Sequence, residues 1–471
     1  MKELCLKINS LLFWPILFLF VFIPIYPKFP LLNVSGTFVA VRLEDIFIAI
    51  VIAAWFISII LSGKIKEFLE SKINQVIILF LGIGLLSLFS AIFLTHTSSL
   101  HLGLLHWLRR LEFILLLPVI ASVVKTKKQL YIILLTLSLV LLIVNIYAFG
   151  QQHLDWPVVS TTNSEFAKGL ILRLTPDARV NATFAGHYDF AAFLAMAFCL
   201  MVPLFFAVKK RFKLWILGLG VVSSVVLVMT SARVSFVAAI FGIITALLLT
   251  GKKKFLLLLF IILLVILIYP SNLRNRLVST VTVNLLKQWD SYQGKTDDQK
   301  KRAKLNIPTL AIKTSSTSAQ TSTFASGSAL PTDITPGEPV DTTELGVYRS
   351  FSIRLNIEWP RAILAFIKNP FLGTGYSSLG IATDNDLLRS LGEVGILGTA
   401  AFALVLIAVS KRIWRIYKES VGFIRYFSAG VLSLILAFLF NSLFIDVFEA
   451  SKVASLFWMV LGLTLATKNF R

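Results

Sequence analysis

The sequence predicts an all-α polytopic membrane protein with about twelve transmembrane helices and a large external loop between spans 9 and 10. Of its 471 residues, 57% are hydrophobic and only 15% are charged, whereas a soluble domain carries roughly 25% charged residues. Apolar runs of about 20 residues, the length that a helix needs to cross a bilayer, recur along most of the chain. These features exclude an ordinary soluble enzyme and a disordered chain.

The predicted spans follow from these apolar runs. They lie near residues 11–26, 43–61, 74–94, 103–122, 130–150, 187–207, 214–231, 234–250, 254–270, 387–409, 423–443 and 450–467. The first contains Pro15 and Pro24 but no small-residue cleavage site, so we expect a retained anchor rather than a removed signal peptide. The fourth contains Arg109, Arg110 and Glu112, which weaken it because ionisable side chains are costly in a bilayer.

The basic residues predict the orientation of the spans, because short loops rich in Lys and Arg stay on the cytoplasmic side. Such residues occur in alternate gaps between the spans. They are Lys64, Lys66 and Lys72; Lys125, Lys127 and Lys128; Lys209, Lys210, Arg211 and Lys213; Lys252, Lys253 and Lys254; and Lys411, Arg412, Arg415 and Lys418. We therefore expect both termini to be cytoplasmic. The formal charge of +21 reflects this topology in large part, which argues against nucleic-acid binding.

Four regions follow from this topology. Residues 1–186 hold spans 1–5 and a first external loop, 187–270 hold spans 6–9, 271–386 form the large external loop, and 387–471 hold spans 10–12. Within the large loop, 290–347 is rich in Ser and Thr and is predicted to be disordered. The segment 351–370 alternates apolar and charged residues in a pattern typical of amphipathic helices at a membrane interface. Pro360 is placed to begin the second of these helices.

Ionisable residues lie almost entirely at the predicted outer ends of the spans. They are Arg42, Glu44, Asp45, Arg109, Arg110, Glu112, His187, Asp189, Arg233, Asp384, Asp386, Arg389, Glu393, Asp446 and Glu449. Because such residues are rarely kept in a membrane without a role, we expect them to line an outward-facing polar chamber. Several arginines there suit a phosphorylated lipid headgroup, since guanidinium binds phosphate oxygens in a planar fork.

Each of these residues also has a structural interpretation. Arg109 and Glu112 are spaced to pair on one helix face, Arg42 is placed to extend toward the interface, and Asp384 is placed to cap a helix. Arg233, in the short break TSARVSF, has no acidic residue near it in the sequence. No metal or cofactor site is predicted, because His96, His101, His106 and His153 lack metal-ligand spacing and no nucleotide-binding motif is present.

Several short motifs resemble the O-antigen ligase and polymerase superfamily. They are Arg354, Trp359, NPFLGTGY at 369–376, DNDLL at 384–388 and GEVGILG at 392–398, preceded by RVNATFAGHYDFAAFLAM at 179–196 and TSARVSF at 230–236. The resemblance implies a glycosyltransferase in the bacterial cytoplasmic membrane. It would transfer a glycan from undecaprenyl diphosphate to an acceptor hydroxyl of a glycan, lipid or protein at the outer face, as a ligase or as a polymerase.

The resemblance also implies roles for individual residues. Arg233 and Arg354 match the arginines assigned to the diphosphate, and Arg361 is a further candidate for it. Asp384 stands where ligases carry a histidine, and Leu387 stands where the family pattern has a tyrosine. We expect a metal-independent inverting transfer in which Asp384, or less favourably Glu393, accepts the proton of the acceptor hydroxyl. Further residues predicted to line the substrate chamber are Arg110, His187, Asp189 and Asn385.

Two other functions fit the same spans. A transporter of a small anion such as bicarbonate would use the positive residues as a binding pocket. The near absence of ionisable residues from the inner halves of the spans argues against it, because a transport path needs polar residues at the midplane and beyond. A scaffold for cell-wall assembly is the third possibility, and it would not depend on the chamber residues.

Overall fold

The structure is a computed structural model that describes residues 11–37, 40–161, 169–175, 178–282, 347, 350–380 and 382–470. Within these ranges the chain is mostly helical. Its α-helices are α1 (Phe13–Ile25), α2 (Leu43–Leu61), α3 (Ile65–Glu70), α4 (Lys72–Phe93), α5 (Leu100–Val123), α6 (Lys127–His153), α7 (His187–Ala207), α8 (Lys210–Met229), α9 (Arg233–Leu249), α10 (Phe255–Ile268), α11 (Asn272–Thr282), α12 (Trp359–Lys368), α13 (Asp386–Glu419), α14 (Gly422–Ser442) and α15 (Ser451–Ala466).

The predicted all-α membrane class agrees with the lengths and apolar composition of these helices. In the described part of the chain, seven helices are long and apolar enough to cross a membrane, namely α2, α4, α6, α7, α8, α13 and α14. Helices α10 and α11 meet at a bend of 95° and together give up to an eighth span, while α1, α9 and α15 are shorter apolar helices. Each of the twelve predicted spans coincides with one of the α-helices.

The outer surface of the bundle is apolar where a soluble protein would be polar. Helix α10 has no buried residue, and Leu257, Val265 and Ile268 on it are 67%, 61% and 76% exposed. Continuous exposed apolar surface of this kind marks a surface that faces lipid or a partner. The exposed faces of the long helices therefore support a multi-pass membrane protein.

Helix α15 forms the centre of the bundle. It is buried along nearly its whole length and packs most closely against α5, while α7 packs against α14 and α9, and α13 packs against α4. Small residues permit these close approaches, as is usual between membrane helices. A side chain at Gly462 would meet the carbonyl of Leu117 on α5 at 2.5 Å, and one at Gly430 would meet the carbonyl of Cys199 on α7 at 2.9 Å.

Helix α13 is broken at Gly395, whose φ of 64° and ψ of −168° are not helical. The turn that follows α12 fills the break. The amides of Thr374 and Gly375 donate to the carbonyls of Gly392 and Glu393 at 2.9 and 2.8 Å, and the amide of Ile396 donates to the carbonyl of Pro370 at 2.8 Å. The motifs NPFLGTGY and GEVGILG are thus two halves of one structural unit, which we call the turn–break unit (residues 369–376 and 392–398).

The external segments contain a little regular structure besides helices. Strands β1 (Val158–Val159) and β2 (Ile171–Leu172) pair antiparallel in the first external loop; the sequence did not predict them. In the large loop a π-helical turn, Arg354–Glu358, runs directly into α12, and Pro360 stands in the first turn of that helix. Of the segment 290–347 that the sequence predicts to be disordered, residues 290–346 lie outside the described residues.

The turn–break unit gives a test of the fold. Replacing Gly395 by alanine should destabilise the protein by about 2–4 kcal/mol, because the residue has a positive φ and a Cβ would overlap the backbone of Phe371. Gly82 on α4 is the matched control, since a Cβ there meets nothing within 4 Å, and Gly82→Ala should be neutral or mildly stabilising. Thermal unfolding of the detergent-solubilised variants measures both. Equal midpoints for the two variants would show that the break does not need glycine.

Candidate functional site

Ionisable side chains from seven helices and from the segments between them meet at one end of the bundle. They form three groups, which we name by their members. The arginine cluster contains Arg179, Arg233, Arg276 and Arg354 around Tyr188, the carboxylate network contains Arg110, Arg389, Glu393, Asp446 and Glu449, and the lysine cluster contains Lys28, Arg42, Glu44, Asp189 and Lys452. Most of the residues predicted to line a chamber therefore do come together.

Arg354 and Asp384, two predicted site residues, form a direct ion pair. Arg354 Nη2 donates to Asp384 Oδ2 at 2.6 Å, and Arg354 Nη1 donates to Ser350 Oγ at 2.5 Å. The π-helical turn begins at Arg354, whose side chain is 8% exposed, against 27% for that of Asp384. Arg354, which is predicted to bind the diphosphate, and Asp384, which is predicted to act as the base, are thus in direct contact.

The cap of α13 is Asn385 and not Asp384. Asn385 Oδ1 accepts from the amide of Leu388 at 2.9 Å, and Asn385 Nδ2 donates to the carbonyl of Leu443 at 3.0 Å. The structural interpretation of Asp384 as a helix cap is therefore wrong. The side chain of Asn385, predicted to line the chamber, has structural contacts instead.

Asp384 is held in an unusual backbone conformation. Its φ is +50°, and non-glycine residues in this region cost of order 1–3 kcal/mol unless their surroundings hold them there. The surroundings are the carboxylate of Asp446, which accepts from the amides of Thr383 and Asn385 at 2.7 and 3.0 Å, on either side of Asp384. Ser231, two residues before Arg233, also has a positive φ.

The surroundings of Asp384 favour its protonated form. Burial raises the pKa of Asp384 above its ordinary value, the Arg354 guanidinium opposes that shift, and the charge of Asp446 adds to it. Burial and the charge of Asp384 also raise the pKa of Glu358 to about 8, against the effect of Arg354. Glu358 Oε2 is buried with no hydrogen-bond partner in the structure. Two carboxyl groups with raised pKa values therefore lie beside Arg354, a feature typical of functional sites.

The arginine cluster surrounds the first turns of α7 and α9. Arg233 begins α9, donates to Thr280 Oγ1, and lies over the ring of Phe351 with its guanidinium carbon 5.7 Å from the ring centroid. Arg354 forms a side-chain hydrogen bond with Tyr188 in α7. Among the ion pairs of the described ranges, none involves Arg233.

Two further arginines complete this cluster. Arg179 Nη1 donates to His187 Nε2 at 2.8 Å, and Arg276 on α11 is buried. Both act electrostatically on Tyr188, as Arg354 does. Because the N-termini of α7 and α9 carry partial positive charge as well, the cluster is suited to bind an anion with more than one negative charge.

Arg361 lies beside this cluster. Its Nη1 donates to the carbonyl of Leu379 at 3.1 Å, and its charge acts on Glu358. These contacts fix the chain between α12 and α13. Arg361 therefore has a structural contact. Its remaining N–H donors are available for the predicted contact with a diphosphate.

The carboxylate network surrounds Arg389, which is 6% exposed. Arg389 Nη1 lies 2.9 Å from Asp446 Oδ2, and its Nε lies 3.4 Å from Glu393 Oε1 and 3.8 Å from Glu449 Oε1. Arg110 pairs with Glu449 and lies 3.5 Å from Glu393 Oε2. Glu393, the second candidate base, is 1% exposed between two arginines. This environment favours a structural role for Glu393 and Arg110.

The lysine cluster is built around Lys28 and Lys452, the latter at the start of α15. Lys28 Nζ donates to Ser451 Oγ and lies 3.8 Å from Glu44 Oε1. Lys452 donates to the carbonyls of Tyr26 and Thr183 at 2.5 and 2.7 Å. Asp189 interacts electrostatically first with Lys28, Arg42 and Lys452. Asp189, predicted to line the substrate chamber, therefore lies mainly in this structural cluster.

Two structural interpretations from the sequence are wrong. Arg42, expected to extend to the interface, is only 5% exposed, and its amide donates to Asp45 Oδ2 at 2.9 Å. Arg109, expected to pair with Glu112, pairs with Asp45 at 3.5 Å instead. Asp45 closes the first turn of α2, so it satisfies both the helix terminus and an arginine of α5.

Several site residues escaped the sequence analysis. Lys452 lies inside a predicted span, a signal that was available because a lysine there is costly without partners. Arg179 is the first residue of the motif at 179–196, but no separate role was predicted for it. Arg276, Glu358 and Tyr188 gave no signal, because their neighbours in the site are distant in sequence.

Metal ligands and similar proteins add no further assignment. Across the described residues, no group of three His, Cys, Asp or Glu side chains could hold a metal ion. The chain matches no protein-family model and no curated protein. Proposals about function therefore depend on the geometry of the arginine cluster and on the sequence motifs.

The raised pKa of Glu358 predicts a pH-dependent stability. The folded protein holds this proton up to about pH 8, whereas the unfolded chain loses it near its ordinary pKa of 4.5. The contribution of Glu358 to the free energy of unfolding is thus fully present below about pH 4.5 and is lost as the pH rises through 8. Glu358→Gln should raise the thermal midpoint at pH 9 and change it little at pH 5.

Glu70 provides the control for this measurement. It is exposed and forms an i,i+4 pair with Lys66, so Glu70→Gln should give the same small change at both pH values. Thermal unfolding of the solubilised protein is the measurement. A Glu358→Gln variant whose difference from the native protein is independent of pH would contradict a raised pKa.

Proposed function

We propose that this protein is a glycosyltransferase of the O-antigen ligase and polymerase type. It transfers a glycan from undecaprenyl diphosphate to an acceptor hydroxyl at the outer face of the bacterial cytoplasmic membrane. The observation that carries the proposal is the Arg354–Asp384 contact at 2.6 Å inside a cluster of arginines, all at one end of apolar helices. A diphosphate at the end of a lipid chain needs that combination of positive charge and lipid-facing surface.

The proposed topology places this end outward. The twelve coincident helices cross the membrane, and the Lys- and Arg-rich loops lie in the cytoplasm with both termini. Arg233 is the first residue of α9, and Asp384 lies two residues before the start of α13. Both residues therefore lie at the level of the outer interface. The isoprenoid chain of the donor stays in the bilayer beside the exposed apolar helices, while its diphosphate reaches the arginine cluster.

The arginines bind the diphosphate and stabilise it as it departs. Arg233 and Arg354 each present a planar guanidinium fork to phosphate oxygens, with Arg179 and Arg276 adding positive charge nearby. Negative charge grows on the diphosphate as the bond to the sugar breaks, so preorganised cations lower the barrier. Guanidinium groups supply this charge in the proposed mechanism, which is metal-independent.

Asp384 accepts the proton of the attacking hydroxyl. The acceptor oxygen forms a bond to the anomeric carbon, the bond from that carbon to the diphosphate breaks, and the hydroxyl proton passes to Asp384 Oδ2. Arg354 holds this oxygen in the structure. Diphosphate oxygens compete for the same guanidinium, so donor binding makes the carboxylate available to the acceptor. Attack from the face opposite the leaving group inverts the anomeric configuration.

Substitutions at Arg233 and Asp384 test this mechanism. Asp384→Asn should lower the transfer rate by about 10²–10⁴-fold through loss of the base, and Arg233→Lys by about tenfold or more because the ammonium cannot form a bidentate fork. Arg173→Lys is the control, because Arg173 is an external arginine paired with Asp155 at 3.5 Å. Transfer from undecaprenyl-diphosphate-linked glycan in reconstituted membranes is the measurement. Unchanged transfer by Arg233→Lys would refute the central role of the cluster.

The pH profile tests the base independently. The pKa of Asp384 is raised by burial, and a base acts only when it is ionised. The transfer rate should therefore rise with pH up to a plateau, with its midpoint above the ordinary aspartate value of about 4. Asp384→Glu keeps a carboxylate and should retain this rise, whereas the residual rate of Asp384→Asn should not follow it. An identical profile in Asp384→Asn would assign the titration to another group.

Two further measurements separate the remaining alternatives. After deletion, accumulation of long lipid-linked polymer indicates a ligase, whereas surface glycans with single repeats indicate a polymerase. Uptake of labelled bicarbonate into proteoliposomes without any lipid-linked glycan would support the transporter, for which an arginine cluster also offers an anion site. Normal cell-wall assembly in the Asp384→Asn strain would support a scaffold.

A further inference from the structure

A second positively charged cavity lies at the other end of the bundle. It has a volume of about 360 Å³ and lies between α2, α3, α5, α13 and the chain after α15. Its lining includes the cations Lys64, Lys125, Arg412 and Lys468, and Glu67 is its one acidic residue. None of these residues belongs to the three clusters of the candidate functional site.

The cavity is far from the arginine cluster. Lys64 follows the end of α2 whose beginning holds Arg42, and Lys468 follows the end of α15 whose beginning holds Lys452. Arg412 lies 17 residues beyond the break at Gly395 in α13, which corresponds to about 25 Å of helix. A ligand in this cavity therefore faces the opposite side of the membrane, the side that the basic loops assign to the cytoplasm.

The four cations come from separate segments, and Glu67 is the one acid in the lining beside them. Burial lowers the pKa of Lys125, and the charge of Lys64 lowers it further, whereas Glu67 opposes the shift. The nearby acid Glu70 pairs with Lys66 outside the cavity. Like charges brought together in this way repel each other, and an anion between them removes the repulsion.

The lining of the cavity combines apolar side chains with hydrogen-bonded polar groups. Trp55 is 2% exposed and its Nε1 donates to Ser122 Oγ at 2.7 Å, while Asn74 Nδ2 donates to the carbonyl of Phe68 at 2.8 Å. Leu117 and Leu465 also line the cavity. A charged rim over a lining that is partly apolar fits an amphiphilic molecule better than a fully hydrated ion.

We propose that this cavity binds the phosphate-bearing headgroup of an anionic phospholipid from the leaflet opposite the arginine cluster. The phosphate lies among Lys64, Lys125, Arg412 and Lys468, and the glycerol portion contacts the apolar side chains of the lining. The bound lipid fastens α2 and α5 to the end of α13 and to the chain after α15. This site does not depend on the proposed glycan transfer.

The experiment compares the full-length protein with two variants that lose the same charge. Lys125→Gln/Arg412→Gln removes two cations from the cavity. Lys127→Gln/Lys128→Gln removes two exposed cations beside it that do not line it. Each protein is titrated with mixed micelles of phosphatidylcholine alone or with added phosphatidylglycerol. Bound lipid is counted by native mass spectrometry, and the thermal midpoint is measured in parallel.

Phosphatidylglycerol should bind and raise the midpoint of the native protein and of Lys127→Gln/Lys128→Gln. The cavity variant should bind it about tenfold or more weakly, and Arg412→Lys should keep most of the affinity. If the cavity variant does not fold, Lys468→Gln at the exposed rim should still weaken binding measurably. Equal weakening in both double variants would overturn the proposal in favour of general surface attraction. Equal stabilisation by inorganic phosphate or glycerol phosphate would overturn it in favour of a soluble anion.

Discussion

Arg389 keeps a permanent positive charge inside an apolar helix bundle, and the pairing of that charge orders the surrounding chain. Asp446, Glu393 and Glu449 lie within 2.9–3.8 Å of its guanidinium. An unpaired charge in such surroundings would cost several kcal/mol, whereas removing a single partner typically costs about 3–5 kcal/mol. The loop between α14 and α15 must therefore stay against α13. Because Arg110 also pairs with Glu449 and Glu393, the same constraint draws α5 into the assembly.

The position of Asp384 follows from this pairing. Asp446 Oδ2 accepts from Arg389, and the same carboxylate accepts from the amides on both sides of Asp384. The residue is thereby held at a positive φ, and its side chain is directed to Arg354 and away from the first turn of α13, which Asn385 caps. The turn–break unit supports the same region. The carbonyl of Glu393 accepts from the amide of Gly375 at 2.8 Å and from Ser87 Oγ at 2.9 Å. Structural and proposed catalytic residues are thus adjacent but distinct.

The helices and the ends at which charge collects could be predicted from the sequence, because apolar length and the spacing of basic loops are local properties. The ion pairs and hydrogen bonds of these charged residues could not be predicted, because the partners are far apart along the chain. Lys452 donates to the carbonyl of Tyr26, and Arg354 reaches Asp384 across a segment of external chain. Local spacing even misled the analysis where a distant partner competed, as when Arg109 paired with Asp45 and not with Glu112. The motif GEVGILG can likewise be recognised in the sequence, but only the fold shows that Glu393 within it is enclosed by two arginines.

The two arginine environments differ in a way that bears on function. Arg389 and Arg110 have several carboxylates each and are enclosed, so their charges are already neutralised and stabilise the fold. The arginine cluster instead gathers Arg179, Arg233, Arg276 and Arg354 around a tyrosine, and Arg354 in it pairs with Asp384. Four guanidinium groups gathered in this way suit an anion with several charges. Since an anion bound to Arg354 competes with Asp384, the proposed mechanism makes binding of the diphosphate and release of the carboxylate one event. In that mechanism, premature proton transfer without a donor is disfavoured, which suits the proposed transfer to a sugar hydroxyl and not to water.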